Sequence, residues 1–144
     1  MDLLIDTNVI INVLTDREDT YKSECEQILQ LCNHNLVRGF IAFHCLPTIW
    51  YVLRNYHNRD ETRTLIRFVC GIVTVVSASH SQVLEAVENR DFRDFEDCLQ
   101  DICAQNAGAQ YIVTCNIKDF RNAETQAVTP AEMLEILRQS EGQL

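Results

Sequence analysis

Glycine and proline are scarce in this chain, four and two among 144 residues. That scarcity excludes a collagen-like repeat and leaves no room for a long flexible linker or a low-complexity tract. Apolar runs long enough for a bilayer span are also missing, as are the basic flank and apolar stretch of a secretory signal, so the cytoplasm is the expected compartment and no membrane partner is expected. Basic residues are few: 12 Lys and Arg stand against 21 Asp and Glu, for a net charge of -9. Such a field repels nucleic acid, and RNA binding would need a local basic patch. Seven cysteines occur without a CxxC pair, and their odd number and apolar settings make small, reduced, buried hydrophobes the expectation rather than a disulfide frame or a zinc site. What remains is a chain 47% hydrophobic, enough for one substantial core and a single domain over 1–144.

Apolar and polar segments alternate along the chain. Leu3, Leu4 and Ile5 read as a buried strand, and Val9, Ile10, Ile11, Val13 and Leu14 begin a helix capped by Thr7 or Asn8. Tyr21, Cys25, Ile28, Leu29 and Cys32 recur at helical spacing behind Asp19 or Thr20 as cap. Gly39 to Phe43 reads as a second strand, Pro47 as a helix start, Asp60 to Cys70 as another helix, and Ile72 to Val76 as a β-branched strand. Ser79 with Gln82 forms a capping box, Asp94 caps the helix carrying Phe95, Leu99, Ile102 and Cys103, and Gly108 ends it. A fourth strand spans Tyr111 to Thr114, a short fifth lies near Val128, and Thr129 with Glu132 caps a last helix beginning at Pro130. The alternation predicts an α/β class fold, a mostly parallel sheet with helices on both faces.

On that sheet the acids gather. Asp6 ends the first strand, Asn116 and Asp119 in "CNIKDF" follow the fourth, and Glu96 with Asp97 in "DFED" occupy the first turn of the helix leading into it. Carboxylates converging on one sheet edge raise each other's pKa unless a cation compensates, and hard oxygen ligands suit Mg²⁺ or Mn²⁺. Singly, each acid has a plainer reading: Asp97 favours a helix N-terminus and Asp119 is an ordinary loop acid. Asp6 is harder to set aside, because Thr7 and Asn8 accompany it at the end of an apolar strand.

Taken in order, "LLIDTNVIINVL", "DFEDCLQ" and "GAQYIVTCNIKDF" resemble the PIN-domain family, in its toxin-type ribonuclease branch, over nearly the whole chain. The resemblance implies a three-layer α/β/α sandwich, a divalent metal held by acids, and metal-dependent hydrolysis of RNA with water as the attacking group. On the matching positions Asp6, Asp97 and Asp119 are the acids that hold the metal. Thr7, Asn8 and Asn116 are polar positions that orient ligands or water. A cognate antitoxin protein and a homodimer are implied in the same way.

Two positions depart from the family pattern. Thr48 stands where many relatives carry Glu, and a hydroxyl neither neutralises a cation nor acts as a base at neutral pH. Glu96 is the acid available to compensate, although neighbouring helical residues point about 100° apart. Cys115 stands where relatives often have Arg. For the RNA backbone, Arg59, Arg63 and Arg67 recur every fourth residue after Arg54 and His57, and Lys118 lies among the last acids; a solvated, salt-bridged helix face is the plainer reading of the arginines. His44 follows the second strand and reads as a packing or capping residue, Trp50 and Tyr51 as core or dimer contacts. A PIN-like module that binds RNA or protein without cleaving is the competing reading. A dehalogenase-type phosphohydrolase also opens with Asp after an apolar strand, but it needs a second Asp where Asn8 stands.

Overall fold

Every strand is short, and three of them are apolar at nearly every position because helices cover both faces of the sheet. The computed structural model describes residues 1–141, so the last three positions of the expected domain lie outside the described residues. Five strands, β1 (Asp2–Ile5), β2 (Arg38–Ala42), β3 (Val73–Val76), β4 (Tyr111–Val113) and β5 (Gln126–Val128), form one sheet in the order β3-β2-β1-β4-β5. All four pairings are parallel. Leu3, Leu4 and Ile5 in the central strand are completely buried, as two-sided coverage requires.

The helices are α1 (Thr7–Leu14), α2 (Lys22–Asn33), α3 (Cys45–Leu53), α4 (Arg59–Ile72), α5 (His80–Glu88), α6 (Phe95–Ala107) and α7 (Pro130–Glu141). Helix α6 crosses β1, β2, β3 and β4 with α5 beside it, while α1, α2, α3, α4 and α7 pack among themselves and against the sheet. The large core joins the sheet to the α1, α2, α3 and α7 layer; a small cluster of Ala86, Cys98 and Leu99 seals α5 to α6. Five cysteines, Cys25, Cys32, Cys45, Cys98 and Cys103, are buried as small apolar side chains. Gly39 is required by close approach: a Cβ there would meet Cys32 Sγ and Val73 Cγ1 at 2.8 Å. Gly108 ends α6 in the left-handed region, with φ 68°.

Several local expectations need correction. Asp6 itself, not Thr7 or Asn8, is the N-cap of α1. Neither Asp19 nor Thr20 caps α2: Tyr21 is its N-cap, and Asp19 forms a turn before it by accepting the Tyr21 N–H at 2.9 Å. Pro47 is the third residue of α3 rather than its first, which is tolerated because the third N–H of a helix has no intrahelical acceptor. Asn58 caps α4 two residues earlier than Asp60, through a capping box with Glu61. The Ser79–Gln82 box, the Asp94 cap and the Pro130 start are as the sequence predicts.

The strand order decides where a site can lie. From β1 the chain winds outward to β2 and β3, then returns to the other side for β4 and β5, so the direction reverses between β1 and β4. At such a reversal the crossovers diverge and leave a crevice beyond the strands' carboxyl ends. Asp6 and Thr114 are the residues that immediately follow those two strands.

Candidate functional site

Asp6 is held from three sides. Its N–H donates to the Val113 carbonyl at 3.0 Å, extending the β1–β4 ladder by one step. Its carboxylate caps α1: Oδ1 accepts from the Thr7 N–H at 2.7 Å and from Gln100 Nε2 at 2.6 Å. Oδ2 accepts from Thr114 Oγ1 at 2.7 Å. Burial of a carboxylate to 6% exposure is tolerated because charge-assisted bonds and a helix N-terminus face it. A carboxylate offers roughly four lone-pair sites, and three are occupied, so one on Oδ2 remains. The tether continues outward, with the Asn116 N–H donating to Thr114 Oγ1 at 3.0 Å and Asn116 Nδ2 to Asp119 Oδ2 at 2.9 Å.

Asp97, in the first turn of α6, is half-buried, and no donor among the described residues reaches its carboxylate. Burial, then the charges of Asp119, Asp94, Asp6 and Glu96, push its carboxyl from 3.8 up to about 7. Asp119 is raised by burial and by Asp6 and Asp94, against the Asn116 amide. Glu96 is raised by burial, Asp94 and Asp6. The three sequence-predicted acids thus occupy one electrostatic environment at one sheet edge. Their oxygens are not in tight contact: among the described residues, the trio of ligand atoms within 4.8 Å of one another belongs to His44, Cys45 and Glu96. Glu96 is therefore placed with His44 and Cys45.

A cleft of about 690 Å³ opens beside Asp97 and Asp119, walled by Asp94 and Asn116 and by the cations Arg93, Lys118 and Arg121. An all-oxygen set in which one carboxylate lacks a donor among the described residues, another keeps a free lone pair, and crowding raises Asp97 and Asp119 fits a hard divalent cation with space for water and phosphate. Asn8 accepts the Cys115 N–H at 3.2 Å and ties α1 to the segment after β4. Thr7 is buried with its hydroxyl unpartnered. Thr48 is exposed on α3.

The arginines of α4 are elsewhere. Arg59, Arg63 and Arg67 are exposed and do not line the cleft; Arg63 lies 5.6 Å above the Trp50 ring and 3.7 Å from Asp60. Of the basic residues expected to meet RNA, Lys118 alone borders the cleft. Reading the sequence misses Gln100, Thr114, Arg93 and Arg121, and takes Asp94 only as a cap. Two signals exist for Gln100 and Thr114: a polar residue three positions after Asp97 on the same helix face, and a threonine closing an apolar strand. Nothing local marks the two arginines.

A family model described as PIN domain matches residues 2–118. Ribonuclease VapC1 of Aquifex aeolicus is 24% identical over 137 residues, 92% of this chain and 93% of that protein. Among solved structures, a chain of VapBC-1 from nontypeable Haemophilus influenzae superposes with a TM-score of 0.67 at 19% identity, covering 91% of this chain and 99% of that one. A chain of VapBC2 from Rickettsia felis, bound to a DNA fragment from their promoter, gives a TM-score of 0.67 at 16% identity, covering 90% and 98%.

Proposed function

The chain belongs to the PIN-domain family, and from that premise we propose that it is a divalent-metal-dependent endoribonuclease, the toxin of a toxin–antitoxin pair acting in the cytoplasm. One observation carries the reading: carboxylates from three distant segments lie within one another's field beside the reversal point of the sheet, and one of them, Asp97, is pushed up to about 7 with no hydrogen-bond donor among the described residues. Asp6, Asp97 and Asp119 would hold Mg²⁺ or Mn²⁺, which would supply Lewis acidity for phosphodiester hydrolysis by water. Gln100 and Thr114 fix the Asp6 carboxylate, and Asn116 orients Asp119. Arg93, Lys118 and Arg121 line the cleft and meet the RNA phosphates, giving a local basic wall to a chain whose overall charge is negative. Glu96, directed to another cluster, adds negative potential rather than a ligand. The antitoxin partner is supported by the likeness to VapBC proteins, and a homodimer is what the family resemblance implies, with the exposed Tyr51 on α3 as available apolar surface.

Thr48 favours a second reading, a module that binds RNA without cutting it, since an exposed hydroxyl supplies no charge where many relatives have one. Titration of Mn²⁺ together with cleavage of a single-stranded RNA separates the two. The expected outcome is metal binding and metal-dependent cleavage, with cleavage reduced by about 10²–10³-fold or more in Asp6→Asn. RNA binding without cleavage under any divalent ion selects the second reading, and full activity in Asp6→Asn refutes the site.

A further inference from the structure

We propose that His44, Cys45 and Glu96 form a second metal site, for a borderline-soft divalent cation of the zinc class, beside the acidic cleft. Cys45 opens α3, His44 precedes it at the end of the loop from β2, and Glu96 arrives from the first turn of α6. One ligand atom from each lies within 4.8 Å of the other two. The donor set is one imidazole nitrogen, one sulfur and one carboxylate oxygen, whereas the acids of the cleft offer oxygen alone. Thiolate and imidazole favour zinc over magnesium, and three protein ligands with one open position make a familiar zinc arrangement.

Two unmet polar atoms point the same way. His44 Nε2 is inaccessible to solvent and has no hydrogen-bond partner, and Thr7 Oγ1, whose residue is over nine-tenths buried, has no oxygen or nitrogen partner and only the Cys45 sulfur beside it. Buried polar atoms without partners are rare because each costs about 1–3 kcal/mol. The Thr7 hydroxyl adjoins the Cys45 thiol, where it donates to a thiolate once a cation has displaced the thiol proton. Binding balances as one Zn²⁺ taken up and one proton released from Cys45. Ligand atoms around a tetrahedral zinc stand about 3.5 Å apart, so closure asks for a shift of roughly an ångström. His44 and Glu96 supply it, since neither is fully buried, while Cys45 stays fixed in the core.

The site also has an electrostatic reason to exist, since His44 and Cys45 both lie within the field of Asp6. A cation there offsets crowded negative charge and opposes a second cation on the neighbouring acids. Zinc therefore inhibits cleavage, a consequence that rests on the nuclease reading; the binding itself does not.

Cobalt(II), a spectroscopic substitute for zinc, tests the site in the full chain kept reduced by a non-chelating phosphine. The expected result is a sulfur-to-cobalt charge-transfer band that saturates at one equivalent, with the visible bands of four-coordinate cobalt. Zinc should displace it. Cys45→Ser should abolish the charge-transfer band, and His44→Gln or Glu96→Gln should each weaken zinc binding by about tenfold or more. Asp97→Asn, Cys70→Ser and Cys25→Ser should keep the band, the last because Cys25 belongs to a separate thiol pair with Cys115 at 3.8 Å. Absence of the band in wild type, its survival in Cys45→Ser, or its loss in Cys25→Ser overturns the proposal. Should Cys45→Ser not fold, unchanged zinc affinity in both His44→Gln and Glu96→Gln overturns it equally.

Discussion

Asp97 and Asp101 stand one turn apart on α6, yet the fold treats the two carboxylates in opposite ways. Asp101 is 3% exposed and its oxygens accept from the Thr125 N–H at 3.0 Å, the Glu124 N–H at 2.9 Å and Gln105 Nε2 at 3.2 Å, pinning the turn before β5. Asp97 is more accessible, lines the cleft and has no donor among the described residues. Its charge is opposed by burial and by four other acids. A buried acid whose oxygens are met by backbone N–H groups is structural; one left unmet among like charges is poised for a cation. Asp6 lies between these cases, its three donors fixing it in place while one lone pair stays available.

Exchanging the two acids' fates is the sharpest way to break this contrast. Asp97→Asn should lower RNA cleavage by about 10²–10³-fold while leaving the fold intact at neutral pH, measured by single-turnover cleavage and circular dichroism. Normal activity in that variant would put Asp97 in the same class as Asp101. Conversely, Asp101→Ala strands two backbone donors and should cost roughly 3 kcal/mol, a fall of about 6–12 °C in Tm. Unchanged melting would show that the bonds to Glu124 and Thr125 add nothing to stability.

The smallest effect is in the pH dependence of stability. Because folding raises the Asp97 carboxyl from 3.8 to about 7, the folded chain holds that proton more tightly than the unfolded one. The resulting stabilisation is complete below the ordinary value and is lost as pH rises through the raised one. Metal-free Asp97→Asn should therefore melt a few degrees above wild type at about pH 8, with the gap closing toward about pH 4. A gap that widens on acidification would reverse the sign of the argument.

Much of the architecture was legible because it rests on short-range rules. The apolar runs, the Ser79–Gln82 box, the Asp94 cap and Gly108 each satisfy a local need of the backbone, and those needs do not depend on distant residues. Errors fell where a residue served two purposes. Thr7 and Asn8 looked like caps because Ser, Thr and Asn commonly are, but Asp6 caps α1 while also receiving Gln100 and Thr114, partners 94 and 108 positions away. The basic face followed helical periodicity to Arg59, Arg63 and Arg67, and periodicity says which side chains share a face without saying what that face meets. Arg93 and Arg121 reach the cleft from loops with no pattern to reveal them.

Composition and periodicity alone settled the class of fold, the parallel sheet and the three segments that carry acids, since burial of apolar surface and capping of helices act within a few residues. Tertiary structure decided the rest. Which acid is given donors and which is left bare, which arginines face the cleft, and that Cys45 meets His44 and Glu96, depend on the reversal of the sheet between β1 and β4 and on the placement of α6 across it. Hydrogen bonds and Coulomb forces act through space, and the distances that set them appear only when remote segments are brought together.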